Sequence, residues 1–68
     1  MEINYETEED GSIDIEMYNK ENELIERIEN IKGDEMSRKI EFQSIIDDEI
    51  YFKFIMKKAR IYSYTRSN

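Results

Sequence analysis

The chain alternates between two hydrophobic periods. Residues 2 to 7, EINYET, set Ile3 and Tyr5 against Glu2, Asn4 and Glu6, a period of two that predicts a strand. Asp10-Gly11 follows as a turn signal,. Residues 12 to 17, SIDIEM, alternate Ile13, Ile15 and Met17 with Asp14 and Glu16. The two runs together predict an antiparallel hairpin with one apolar and one acidic face.

The period then changes. Leu24, Ile25, Ile28 and Ile31 stand at i, i+1, i+4 and i+7, one stripe of an amphipathic helix. Asn19 suits its N-cap, Glu21 and Glu23 its first turn, and Gly33 a left-handed C-cap. The helix is expected at about 20 to 32, with Glu23, Glu26, Arg27 and Asn30 facing outward,.

Alternation returns at Ile40 and Phe42, and again at Ile50, Phe52 and Phe54. MKKA offers a turn without glycine. Residues 59 to 65 place Ala59, Ile61 and Ser63 on one face and Arg60, Tyr62 and Tyr64 on the other,. The expected fold is α+β: one small domain over 1–68, with an antiparallel sheet of about five strands in the order β-β-α-β-β-β. The helix stripe of Leu24, Ile28 and Ile31 should pack over Ile50, Phe52, Phe54 and Ile61, and residues 47 to 65 should form the central hairpin.

Composition tests this expectation. Charged residues make up 40% of the 68 residues, a level that invites disorder. Twelve isoleucines, three phenylalanines and five tyrosines answer it, because these are strand formers with large burial area. A chain this short buries a modest fraction of its surface, and self-association as a homodimer would supplement its core. The bias to Ile, Lys, Glu, Asn and Tyr fits an AT-rich coding sequence of bacterial or phage type.

The start, MEINYETEED, lacks the basic and apolar regions of a signal peptide,. No apolar run approaches the roughly 20 residues of a membrane helix. A cytoplasmic location without membrane contact is expected.

Histidine and cysteine are both absent. That excludes imidazole or thiolate metal sites and histidine-based nucleophilic catalysis. Two glycines leave no phosphate-cradling loop. Asp47, Asp48 and Glu49 read as a solvated turn rather than a cation site, since the alternating ligands of a calcium loop are missing. The expected protein is not an enzyme and holds no metal or cofactor.

Charge then narrows the function. The formal net charge is -7. Residues 1 to 35 hold 13 acids and 3 bases, while residues 36 to 68 hold 4 acids and 7 bases. The candidate partner-binding surface is acidic: Glu6, Glu8, Glu9, Asp10, Asp14, Glu16, Glu23, Glu26 and Glu29. Such a surface keeps a small domain dispersed. It also suits a basic groove that normally holds phosphates, as a small phage-type inhibitor would.

A second candidate surface is Tyr51, Lys53, Lys57, Lys58, Arg60, Tyr62 and Tyr64. Bases among aromatics can track a nucleic-acid backbone. Direct nucleic-acid binding is disfavoured by the acidity of the other half. The function expected is a non-catalytic inhibitor of a nucleic-acid-handling protein, plausibly a basic nucleic-acid-binding enzyme, through charge that mimics nucleic acid.

The stretch KIEFQSIIDDEIYFKFIMKKARIYSYTRSN resembles the first strands of a LytTR-type DNA-binding domain. Asp48, Ile50, Tyr51, Phe52, Tyr64 and Thr65 would be the matching positions. The preceding MEINYETEEDGSIDIEMYNKENELIERIENIK is similar in layout to the front of small stand-alone members. The resemblance implies an alternative function, a LytTR-like transcription regulator or a truncated antagonist of one. The family elements that supply most base contacts have no counterpart here, so no DNA-contact residue carries over.

Overall fold

The computed structural model describes residues 1–44 and 49–66. Among them there is no helix. Four strands form one antiparallel sheet: β1 (Glu2–Tyr18), β2 (Leu24–Ile31), β3 (Asp34–Lys39) and β4 (Tyr51–Thr65). The α+β expectation is therefore corrected to an all-β fold.

β1 is the central strand. It pairs with β4 along most of its length, with β2 over Ile13–Tyr18 and with β3 over Glu2–Glu6. Thus β2 and β3 lie end to end beside β1, and β4 flanks its other side.

The sheet is folded across its middle. A straight 17-residue strand would run about 56 Å at ~3.3 Å per residue, yet the longest dimension is 34 Å. In β1, the register jumps between Thr7↔Ala59 and Ser12↔Lys57, so Glu8–Gly11 face Lys58 alone. Such extra residues bend a strand and increase its twist. Lys58 has φ 47, and Gly33, between β2 and β3, has φ 119. The Thr7 amide donates to the Gly33 carbonyl at 2.8 Å, and the Gly33 amide donates to Thr7 Oγ1 at 2.9 Å. All three passes of the chain therefore bend at one level. The bend brings the start of β4 against its end and the residue after it: Phe54 and Tyr64 have ring centroids 5.1 Å apart, and the Arg66 guanidinium lies 5.3 Å from the Phe52 ring.

The core lies inside the fold. Ile3, Tyr5, Ile13, Ile15 and Ile31 are buried together with Met1 and Ile40, and Met17 and Ile50 form an adjoining cluster. Half-buried Ile28, Phe52, Phe54, Ala59 and Ile61 pack against these. Residues 40–44 leave β3 and help close the core through Ile40 and Phe42. Main-chain bonds tie Met1 to Ile40 in both directions, at 2.7 and 3.2 Å.

The expected helix is β2, and two register shifts explain its misleading spacing. Ile15 faces Ile28 while Ile13 faces Ile31, so β2 spends one residue more than β1 there. Asn30, at φ 60, takes up that extra residue. The bulge puts Ile28 and Ile31 on one face although they are three apart, which a regular strand cannot do. A second shift between Met17↔Glu26 and Tyr18↔Leu24 completes the helix-like spacing. Leu24 and Ile25 remain exposed, so no stripe covers Phe52 and Phe54. Asn19 caps a turn instead: its Oδ1 accepts from the Glu21 and Glu23 amides, both at 3.0 Å.

Three further expectations change. The runs at 2–7 and 12–17 are one strand, not a hairpin. Residues 51–65 are likewise one strand at the sheet edge, not a central hairpin. Ile40 and Phe42 follow β3 rather than belonging to it.

Candidate interaction surfaces

The acidic residues do not form one surface. Asp14, Glu16 and Glu29 gather around Arg27 on the outer face of β1 and β2. Arg27 reaches Asp14 at 3.0 Å, Glu16 at 3.5 Å and Glu29 at 3.2 Å. Register makes this meeting, because Glu16 faces Arg27 directly. Asp14 also accepts the Asn30 amide at 3.0 Å, so it holds the bulge of β2 in place. Glu16 is only 7% exposed despite lying on the polar face. It accepts the Tyr18 hydroxyl at 2.7 Å. A buried carboxylate needs this kind of partnering.

Glu26 and Glu23 serve the local chain. The Glu26 carboxylate accepts the amides of Gln43 and Ser44 at 3.0 and 2.8 Å, which anchors the segment after β3. Glu23 accepts from the Asn19 side-chain amide at 3.1 Å.

The remaining acids stand at the bend. Glu8, Glu9 and Asp10 are exposed there. Asp10 pairs with Lys58, and Glu6 accepts the Tyr62 hydroxyl at 2.9 Å. Glu6, Thr7, Glu8, Lys58, Ala59 and Arg60 line an open depression of about 550 Å³.

The second predicted surface is also divided. Tyr51 stacks on Tyr18 with centroids 5.5 Å apart, and its hydroxyl donates to Asn22. Lys53 faces Glu16 in register, and Arg60 faces Glu6. A register shift between Asn4↔Ser63 and Tyr5↔Ile61 puts Tyr64 opposite Ile3. Tyr64 therefore turns toward Phe54 and does not share a face with Tyr62, as simple alternation had it. Lys57 is exposed beside the bend.

Asp47 and Asp48, of the acidic turn, lie outside the described residues, as does the Asp48 position of the LytTR-like pattern. Glu49 pairs with Lys20 at 3.4 Å. No group of three or more carboxylates is placed to hold a metal ion among the described residues.

Arg27, expected only to face outward, is the residue that gathers three of these acids. One signal pointed to it. Only three bases accompany the 13 acids of residues 1 to 35, so each base should draw several carboxylates.

These contacts shift titrations in both directions. The Asn30 amide, and then Arg27, hold Asp14 below the usual carboxylate range. Lys58 does the same for Asp10 through its hydrogen bond. Burial pushes Glu26 up, but the Gln43 and Ser44 amides outweigh it and leave the group lowered. Tyr18 and Tyr62 are raised, first because each hydroxyl proton is held by a carboxylate, Glu16 or Glu6.

A pH profile follows from these signs. The lowered carboxylates favour folding in full above their unfolded range, about pH 4 to 4.5, and lose that contribution as pH falls through the lower folded values. The raised tyrosines contribute below their unfolded value of about 10 and lose it as pH rises through the folded values. The thermal midpoint should be level between about pH 5 and 9.5 and fall on both sides. Glu26→Gln should make the acid limb shallower. A midpoint that rises steadily from pH 5 to pH 3 would contradict this assignment.

No family model, no curated protein and no solved structure matches the chain.

Proposed function

We propose that the protein is a non-catalytic interaction module that inhibits a nucleic-acid-handling protein, and that its carboxylates occupy a basic groove on that partner. The observation that carries this reading is the charge distribution. Thirteen acids against three bases fall in residues 1 to 35, and Glu8, Glu9 and Asp10 are exposed together at the bend of the sheet. Complementary charge of this kind speeds encounter with a basic partner and makes it salt-dependent.

The placement of the acids selects the test. Glu26 and Glu29 hold main chain and Arg27 respectively, so reversing them would disturb the fold. Glu8 and Glu9 make no ion pair or side-chain hydrogen bond among the described residues. The double variant Glu8→Lys and Glu9→Lys should leave the circular dichroism spectrum unchanged. It should weaken capture of a basic nucleic-acid enzyme from nuclease-treated bacterial lysate at least tenfold. The intact protein should also inhibit the captured enzyme, and less so as salt rises. Equal capture and inhibition by the variant would remove the bend from the interface.

A further inference from the structure

β4 is an open sheet edge. It pairs with β1 alone among the described strands, so one side of its main chain has no ladder partner along residues 51–65. Unpaired edge groups are a template for an added strand. The edge also gathers apolar surface. Of the eight large apolar side chains exposed among the described residues, Tyr51, Ile55, Met56, Tyr62 and Tyr64 lie on β4.

Its charge is opposite to that of the whole. Residues 51–65 contain Lys53, Lys57, Lys58 and Arg60 and no acid, in a chain of net charge -7. Lys58 is paired with Asp10, while Lys53, Lys57 and Arg60 form no ion pair among the described residues.

We propose that β4 is a docking edge for an extended acidic segment of a partner protein, which joins the sheet as its next strand. The added main chain would pair with the open side of β4. Its glutamates or aspartates would meet Lys53, Lys57 and Arg60 on one face, and its apolar residues would cover Met56 on the other,. This surface is separate from the acidic bend and does not depend on the function proposed for it.

The charges discriminate among occupants. A second copy placed β4 against β4 would set lysines against lysines. The opposite edge, residues 24–39, carries four acids and four bases and offers no net attraction. A nucleic-acid strand would run beside Asp14, Glu16 and Glu6, which face Ile55, Lys53 and Arg60 in register. Two of the tyrosine rings it would stack on are already engaged, by Tyr18 and Phe54. An acidic strand in the plane of the sheet meets the bases and avoids those carboxylates. Lysines on an edge repel strands of their own kind; the same lysines admit an acidic one.

The test uses the full chain labelled with nitrogen-15 and a synthetic ten-residue peptide alternating glutamate and valine. Binding should slow exchange of alternate β4 amides at least tenfold. A peptide N-methylated at alternate residues, which cannot complete a ladder, should bind at least tenfold more weakly, as should one with lysine for glutamate. The variant carrying Lys53→Glu and Lys57→Glu should lose binding to a similar extent while its circular dichroism spectrum is retained. Absence of binding, equal binding of the methylated peptide, or protection of β2 and β3 instead would each overturn the proposal. So would displacement of the peptide by oligothymidylate from the same amides, or equal protection of β4 on concentrating the protein alone.

Discussion

Gly11→Ala is expected to remove about 3 kcal/mol of stability, a value at the upper end for overpacking at a rigid site. A β-carbon there would sit 2.3 Å from the Lys58 carbonyl oxygen and 2.7 Å from that of Lys57. Both obstacles are main chain, so no side-chain rotation relieves them. Moving them means moving the bend of β4, where Lys58 already holds φ 47. The bend of β1 and the bend of β4 touch at this point, and the two halves of the core face each other because of it. A domain of 68 residues has a total stability of roughly 3 to 10 kcal/mol. The variant should therefore be largely unfolded or show a thermal midpoint lower by ten degrees or more. Urea titration followed by circular dichroism measures it. A loss below about 0.5 kcal/mol would mean that the bend relaxes freely and that Gly11 does not set it.

Gly11 also marks the limit of what local sequence encodes. Asp10-Gly11 carries a turn signal, and the chain does change direction there. The signal cannot say whether the strand reverses onto itself or bends and continues. The difference lies in Lys57 and Lys58, 46 and more positions away in sequence, and local pattern has no access to them. MKKA posed the same ambiguity on β4, and the outcome was the same.

Alternation was more informative about burial than about connection. Ile3, Tyr5, Ile13, Ile15 and Met17 were all placed on the apolar face, and all are buried. The helix failed for a defined reason. Bulges at both gaps of β2 convert strand spacing into helical spacing, and only the partner strand reveals a bulge. The isoleucines at 25, 28 and 31 favour a strand by propensity, against the helical period of their spacing. On the candidate acidic surface, Glu8, Glu9, Asp10, Glu23 and Glu29 are exposed, Glu6, Asp14 and Glu26 are half-buried, and Glu16 is buried. Which of them gather on Arg27, which hold main chain and which stand at the bend depends on register, so it was not legible.

Tyr5→Ala is expected to cost about 3–5 kcal/mol, as removal of a large buried ring does, and to unfold the domain at ambient temperature. Tyr5 is fully buried at the middle of the folded sheet, opposite Ile61 of β4 and Glu35 of β3. Its ring belongs to the core that both layers share. Its hydroxyl ties the two parts of the adjacent pass: it donates to the Lys32 carbonyl at 2.7 Å and accepts from Arg38 at 2.9 Å. Glu35 Oε2 lies 3.2 Å away and completes the set. Tyr5→Phe separates the contributions. It keeps the ring and removes the hydroxyl, and should cost about 1–3 kcal/mol because polar partners lose their bond. The larger loss from Tyr5→Ala would then belong mainly to the ring. Urea midpoints for the two variants provide the comparison. If Tyr5→Phe were as damaging as Tyr5→Ala, the hydroxyl network rather than the packed ring would hold the corner. If Tyr5→Ala cost less than about 1 kcal/mol, the two layers would not share a core at this residue, and the folded arrangement of β1 would be wrong.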